Sequence, residues 1–283
     1  MTTAPKEIKL FPDVRLGGSS FFLIAGPCVI ENRKHALAMA GRLQSVCRDL
    51  EVPFIFKASF DKANRSSIDS FRGPGIEAGL EILSEIRTQH QIPVTSDVHE
   101  PRQVEKASEV LDIIQIPAFL SRQTDLVMEA ARSGKPVNIK KGPFLSPYDM
   151  KNVLDKALSQ NNRRIILTER GTSFGYNNLV FDVRSIPIMK KWGYPVVIDA
   201  SHSVQKPGGQ GPFSGGDAEF IPHIARAGIS VGADGIFLET HDRPDKALSD
   251  KHNSLKLNKL KELLQMLIRI RSAVFQRETS SGY

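Results

Sequence analysis

A polar or metal-capable side chain closes each of a series of short apolar runs in this chain. In order they are Cys28, Lys57 with Lys62, Asp97, Gln115, Lys140, Arg170, His202 and Glu239. Two chemistries separate within the set. Lys62, Lys140, Arg170 and Gln115 suit a phosphate and a carboxylate, since arginine grips an oxyanion bidentately and lysine offers a point charge. Asn64, Arg65 and Ser66, within FKASFDKANRSS (56–67), make a further oxyanion cluster. More than one anionic group is therefore expected at the site. A lysine is by default a solvated surface charge, but Lys57 and Lys140 lie inside apolar runs, where an ammonium without a partner is costly.

Cys28, His202, Glu239 and Asp250 form the other subset. A thiolate, an imidazole and two carboxylates suit a divalent transition ion such as Zn, Fe, Mn or Co. Their spacing is no metal motif, so only a fold that makes the ends of the first, seventh and eighth runs neighbours would assemble them. Without metal, Cys28 would be a small buried hydrophobe and His202 a lone imidazole; both readings stay open on these residues alone. His99 and His241 follow the third and eighth runs and could back the same rim. His35, His90, His223 and His252 read as packed or solvent-facing.

The elements that must position these groups are legible as a rhythm. The apolar runs are FFLIAG (21–26), FIFKAS (54–59), VTSDV (94–98), IIQIP (113–117), VNIKK (137–141), IILTER (165–170), VVIDAS (196–201) and GIFLET (235–240). Amphipathic helical patterns separate them, such as PGIEAGLEILSEIRTQ (74–89), with proline early, and SPYDMKNVLDKALSQ (146–160), with Ser146 as cap. Eight strands, each followed by a helix, predict a (β/α)8 TIM barrel of α/β class, whose functional groups gather at the C-terminal strand ends. A doubly wound sheet fits less well, because no GxGxxG follows the first strand. Residues 1–20 are expected as a short N-terminal hairpin extension, 276–283 as a frayed tail, and 1–283 as one domain. KPGGQGPFSGG (206–216) lacks the order of a phosphate loop and reads as a lid over the barrel mouth.

Composition bounds the function. At 40% hydrophobic and 24% charged residues, the chain of 283 can build a large core. No apolar run reaches the ~20 residues of a membrane span, and MTTAPKEIKLF has no secretory character, so a cytoplasmic protein is expected. Two cysteines exclude a disulfide framework; Cys47, in a helical pattern, reads as core, and Trp192 as packing at a helix end. The net charge of +7 lies partly in LKLNKLKELLQMLIRIR, where Lys256, Lys259, Lys261, Arg269 and Arg271 read as a solvated face. With no zinc-finger spacing or RNA-binding aromatic signature, nucleic acid is not expected as a partner.

AGPCVIE (25–31), FKASFDKANRSS (56–67), TSDVHEP (95–101), IIQIPAFLSRQTDL (113–126), NIKKGPF (138–144), TERGTSFGYNNLVFD (168–182), DASHSVQ (199–205) and FLETH (237–241) together resemble the 3-deoxy-D-manno-octulosonate 8-phosphate synthases. KANRSS is the specific piece, since the related heptulosonate 7-phosphate synthases carry KPRTSP-like residues there. The resemblance implies a transferase that condenses phosphoenolpyruvate with D-arabinose 5-phosphate and water, releasing phosphate, for the Kdo sugar of lipopolysaccharide. It assigns Lys62, Gln115, Lys140 and Arg170 to phosphoenolpyruvate, and Lys57, Asn64, Arg65, Ser66 and Asp97 to the pentose phosphate. Lys57, Lys62, Asp97 and His202 are implied as the catalytic set. Phe119 and Arg122 belong to a loop that in this family reaches a neighbouring subunit's site, which implies a homotetramer. Cys28 stands where the metal-free branch has asparagine, so with His202, Glu239 and Asp250 it implies the metal-dependent branch. Three competing readings are an erythrose 4-phosphate-using heptulosonate synthase, a class I aldolase with Lys57 or Lys140 as Schiff base, and a nucleic-acid-binding protein.

Overall fold

The computed structural model describes residues 7–11, 14–18, 21–65, 67–210 and 213–280. Ser66 and the last residues of the expected tail therefore lie outside the described part. Four parallel strands open the barrel: β1 (Phe22–Gly26), β2 (Phe54–Lys57), β3 (Val94–Asp97) and β4 (Ile113–Ile116). Four more complete it: β5 (Val137–Lys140), β6 (Ile165–Glu169), β7 (Val196–Asp199) and β8 (Gly235–His241). Each pairs with the next, and β8 pairs back onto β1 through Gly235↔Phe22 to Glu239↔Gly26, which closes the ring. The helices α1 (Arg33–Asp49), α2 (Ile76–His90), α3 (Val104–Val110) and α4 (Thr124–Arg132) alternate with the first strands. They continue as α5 (Met150–Leu158), α6 (Ser185–Lys190), α7 (Ile221–Ser230) and α8 (Leu260–Ser280).

The strands are buried on both faces, as parallel strands covered by helices must be, so their sequences read as continuous apolar runs. Side-chain alternation sorts them into two layers. Leu23, Phe56, Val94, Ile114, Ile139, Leu167, Ile198 and Leu238 join the core that meets the helices. Phe22, Ile24, Ile55, Ile113, Ile166, Val197 and Phe237 form a separate cluster inside the ring. The N-terminal hairpin, Ile8–Phe11 against Val14–Leu16, joins this inner cluster through Ile8 and Leu16 and so seals one end of the barrel. Two residues past each inner apolar position, alternation returns a side chain to the interior. There stand Lys57, Gln115, Thr168, Asp199 and Glu239. The period of two thus delivers the polar groups to the open end.

Local departures from expectation have local causes. Helix α2 starts at Ile76, after Pro74, with Gly75 at its N-cap in the left-handed region at φ 83°. Helix α5 starts at Met150, yet Ser146 does cap the turn leading into it. Its backbone N–H and hydroxyl donate to Asp149 Oδ2 (3.1 and 2.9 Å), and Asp149 N–H donates to Ser146 Oγ, the reciprocal pairing of a capping box. Helix α8 runs through Ser280, and residues 281–283 of the expected tail lie outside the described part. Arg271 does not belong to the solvated face: it is 3% exposed and donates to Ala233 O and Gly18 O, tying α8 to the sealed end. The glycine-rich stretch forms a hairpin, Gln205–Gln210 with Phe213–Gly216. Among the described residues no helix is long and apolar enough to cross a membrane.

Gly26 is fixed by space. A Cβ there would lie 1.9 Å from Lys57 O, a backbone atom of the neighbouring strand. Gly26→Ala should therefore force β1 and β2 apart and lower unfolding free energy by about 2–3 kcal/mol, read as a fall in the urea midpoint at unchanged slope.

Candidate active site

The open end of the barrel holds a cavity of about 280 Å³. Lys57, Lys62, Asn64, Arg65, Asp97 and Gln115 line one part of it, and Phe119, Lys140, Arg170, His202 and Asp250 the rest. One long loop after β2 and the ends of six different strands thus meet around a single space. Cys28 and Glu239 lie buried beside it rather than in its lining. Arg122 is exposed and does not line the cavity of its own chain. His252, expected to be packed or solvent-facing, is part of the lining, as is His99, while His241 is not. Pro207 and Gly208 of the glycine-rich hairpin stand at the mouth.

Buried charges in the cavity wall are paired across strands. Lys57 Nζ donates to Glu239 Oε1 (3.0 Å) and to Cys28 O (3.1 Å). Lys140 Nζ donates to Asp199 Oδ2 at 2.7 Å and lies 3.4 Å from the centre of the Phe237 ring, a cation–π contact. Lys62 Nζ is 3.9 Å from Asp97 Oδ2. Burial works against its ammonium, but the carboxylates of Asp97, Glu239 and Asp250 outweigh that and hold it charged beyond the ordinary lysine range. Asp97 is likewise disfavoured by burial, and Lys57, Lys62 and Lys140 hold it below the usual carboxylate range. Arg170 differs. It is 4% exposed, Nη2 donates to Gln205 Oε1 (3.0 Å), and Nη1 is buried without a partner. A guanidinium in that state is poised for an oxyanion.

A polar relay runs across the interior beneath these groups. Thr168 Oγ1 donates to Asn138 Oδ1 (2.6 Å), and Asn138 Nδ2 to Gln115 Oε1 (3.0 Å). Gln115 Nε2 donates to Asp97 Oδ1, and Ser59 Oγ to Asp97 Oδ2 (2.9 Å). The relay fixes the amide of Gln115 and leaves one of its protons for a ligand. Thr168, Asn138 and Ser59 were not singled out from sequence. For Thr168 and Asn138 the signal is the inward phase of β6 and β5, which puts a polar residue where an apolar one would otherwise sit.

His202, Glu239, Asp250 and Cys28 do come together. The ligand atoms of Cys28, Glu239 and Asp250 all lie within 4.8 Å of one another. His202 Nε2 is 3.6 Å from Asp250 Oδ2 and 3.8 Å from Glu239 Oε1. Asp250 reaches the group from a left-handed backbone, φ 50°, a conformation aspartate tolerates better than most residues. The donor set fits a divalent transition ion on two further observations. Glu239 Oε2 is buried without a partner. Asp199 Oδ2 lies 2.8 Å from His202 Nδ1, which leaves the Nε2 lone pair facing the carboxylates. Burial, with Asp250 nearby, pushes the Cys28 thiol up to about 12, so only a cation would hold it as thiolate at neutral pH.

Asp199 is the main group that sequence reasoning missed. It accepts from Lys140, from His202 N–H (2.8 Å) and faces the His202 ring. Its signal was present, as an aspartate at a strand end three residues before a histidine. Lys141, next to Lys140, points the other way. It is fully buried, 3.5 Å from Glu169 Oε1, and donates to Leu145 O, Gly171 O and Thr172 Oγ1. It therefore anchors the loops after β5 and β6 rather than facing the cavity.

A closed parallel barrel whose polar groups converge on one cation-lined mouth defines a (β/α)8-barrel enzyme. A model of the DAHP synthetase I family matches residues 4–276. The chain is similar to a protein of Desulfatibacillum aliphaticivorans, 59% identical over 90% of this chain and 94% of the relative. It is equally similar to one of Geotalea uraniireducens (strain Rf4), 59% over 93% and 96%. A protein of Syntrophotalea carbinolica is 56% identical over 98% of this chain and its own full length. Each is named 2-dehydro-3-deoxyphosphooctonate aldolase. The chain belongs to the DAHP synthetase I family, on its octulosonate side rather than its heptulosonate side.

Replacing Asp199 tests the pairing described here. Asp199→Asn should cost about 3 kcal/mol of stability, because Lys140 is left buried without its counter-charge, measured by urea unfolding. Adding Lys140→Met should restore most of that stability without restoring phosphate-release activity.

Proposed function

We propose that this chain makes 3-deoxy-D-manno-octulosonate 8-phosphate from phosphoenolpyruvate, D-arabinose 5-phosphate and water, with release of phosphate. The observation that carries the reading is the meeting of Lys62, Lys140 and the half-satisfied Arg170 guanidinium in one cavity that Asn64 and Arg65 also line. Lys62, Lys140, Arg170 and the free amide proton of Gln115 take the carboxylate and phosphate of phosphoenolpyruvate. Asn64, Arg65 and Ser66 take the sugar phosphate. Lys57 and Asp97 are assigned to the reacting end of the sugar. The vinyl carbon then joins the aldehyde carbon, water adds at the neighbouring carbon, and the tetrahedral intermediate loses phosphate by C–O cleavage.

The protein's part is orientation and charge. Cations fixed by ion pairs before substrate arrives need no reorganisation as negative charge moves among the carboxylate, phosphate and aldehyde oxygens. Lys62 stays protonated against its ring of negative groups and so can hold a proton at Nζ beside the reacting atoms. Cys28, His202, Glu239 and Asp250 would hold a divalent transition ion of the Zn, Fe, Mn or Co class. When bound, such an ion supplies a Lewis acid that orients or polarises water or the aldehyde oxygen. Lys57, Lys62, Asp97 and His202 are the groups assigned to the reacting atoms.

A homotetramer is supported by the loops after β4, β5 and β6. They expose Phe119 (48%), Phe144 (52%), Tyr148 (67%) and Phe174 (74%), apolar surface suited to a second copy. Exposed Arg122 follows Phe119 on the first of these loops, where it would serve a neighbour's cavity. Both substrates are phosphorylated and membrane-impermeant, which supports a cytoplasmic site of action.

In a phosphate-release assay, arabinose 5-phosphate should turn over and erythrose 4-phosphate should not; equal rates would move the chain to heptulosonate synthesis. Borohydride added during turnover should leave the protein's mass unchanged, whereas a trapped adduct would make it a Schiff-base aldolase. Arg65→Ala should raise the KM for arabinose 5-phosphate ~10–100-fold, as loss of a charged hydrogen bond does, with little change for phosphoenolpyruvate. Chelation should abolish most turnover, and full activity in metal-stripped protein would remove the ion from the reaction.

A further inference from the structure

A second group of metal-capable side chains lies outside the cavity. Glu31, His35 and His241 present ligand atoms all within 4.8 Å of one another. None of the three lines the cavity described above. They come from three places: the segment after β1, the first turn of α1, and the end of β8. His241 Nε2 is 3.2 Å from Glu31 Oε1, and His35 Nδ1 is 3.9 Å from Glu31 Oε2. Atoms bound at ~2.0–2.2 Å to one tetrahedral ion stand roughly 3.3 Å apart, so the Glu31–His241 separation already fits and His35 must draw closer to the other two.

The surroundings favour ligation. Asp242 Oδ1 is 3.2 Å from His35 Nε2 and also 3.2 Å from His241 Nδ1. One carboxylate oxygen can thus accept the outer ring proton of both imidazoles, the arrangement that orients histidines on metals and turns the opposite nitrogens inward. His35 Nδ1, one of those inward nitrogens, is buried without a hydrogen-bond partner. His241 has a choice of tautomer. In one, Nδ1 accepts from Arg243 N–H (2.9 Å) and Nε2–H donates to Glu31; in the other, Nδ1–H turns to Asp242, Arg243 N–H gives up that acceptor, and the Nε2 lone pair faces Glu31. An ion selects the second. Glu31 Oε1 also accepts from Leu248 N–H at 2.9 Å, two residues before Asp250.

We propose that Glu31, His35 and His241 form a second binding site for a divalent transition ion of the zinc class, completed by water and braced by Asp242. Two imidazoles and one carboxylate around an open position suit zinc and its neighbours rather than magnesium or calcium. An ion there ties the start of α1 to the loop that carries Asp250. The site differs from the Cys28 group in having no thiolate, and that difference separates the two experimentally.

The test uses the full chain, stripped of metal and loaded with zinc by equilibrium dialysis, with wild type, His35→Ala and Cys28→Ala compared. Wild type should retain one zinc equivalent per chain more than His35→Ala, and zinc should raise the wild-type Tm more than that of the variant. Cobalt loading should give a thiolate charge-transfer band that survives in His35→Ala and vanishes in Cys28→Ala, which keeps cobalt without it. Should His35→Ala fold poorly, Asp242→Asn serves instead, with zinc bound ~10–100-fold more weakly at the outer site. Equal zinc content and equal Tm shifts in wild type and both outer-site variants would overturn the proposal. Loss of the only zinc in His35→Ala, with no thiolate band in wild type, would uphold it and instead remove the Cys28 group as a metal site.

Discussion

The mouth of this barrel is built on charges that cannot be left alone. Lys57, Lys140, Asp199 and Glu239 are all at most 5% exposed, and each would be strongly unfavourable without its opposite. The closed ring of strands supplies the opposites, because inward side chains of alternate strands share one layer of the interior. Glu239 on β8 meets Lys57 on β2, and Asp199 on β7 meets Lys140 on β5. Breaking one pair leaves a buried charge worth about 3–5 kcal/mol of destabilisation. The site and the fold therefore fail together. Arg170 is the exception that gives the arrangement direction, since part of its guanidinium awaits an anion from outside.

Much of this was legible before any coordinates. Each of the eight apolar runs becomes a barrel strand, with ends displaced by one or two residues. Strand ends with inward phase deliver Lys57, Asp97, Gln115, Lys140 and Arg170 to one cavity, because a side-chain period of two leaves little choice once the ring closes. Groups that act through partners were harder to see. Asp199 gains its role from Lys140 and His202, Asn138 from Gln115 and Thr168. Neither shows this in its own neighbourhood of sequence. Arg271 failed in the opposite sense. Its helical spacing matched solvated neighbours, but the carbonyls it reaches lie on elements far away in the chain.

Tandem residues show how narrowly position decides function here. Lys140 and Lys141 differ by one step, yet one faces the cavity and the other braces two loops from behind the sheet. Glu169 and Arg170 repeat the pattern one strand over. In each pair the buried partner on the outer side, Lys141 against Glu169, holds the loop from which the inner partner works.

The hairpin at the start of the chain has a consequence for traffic. Ile8 and Leu16 close the floor over a dry layer that includes Phe22, Ile55 and Phe237, so the barrel is a blind vessel rather than a tube. Reactants therefore come and go by the opposite end alone. A single doorway is thus set by a stopper at the far end, made of two aliphatic side chains remote from it.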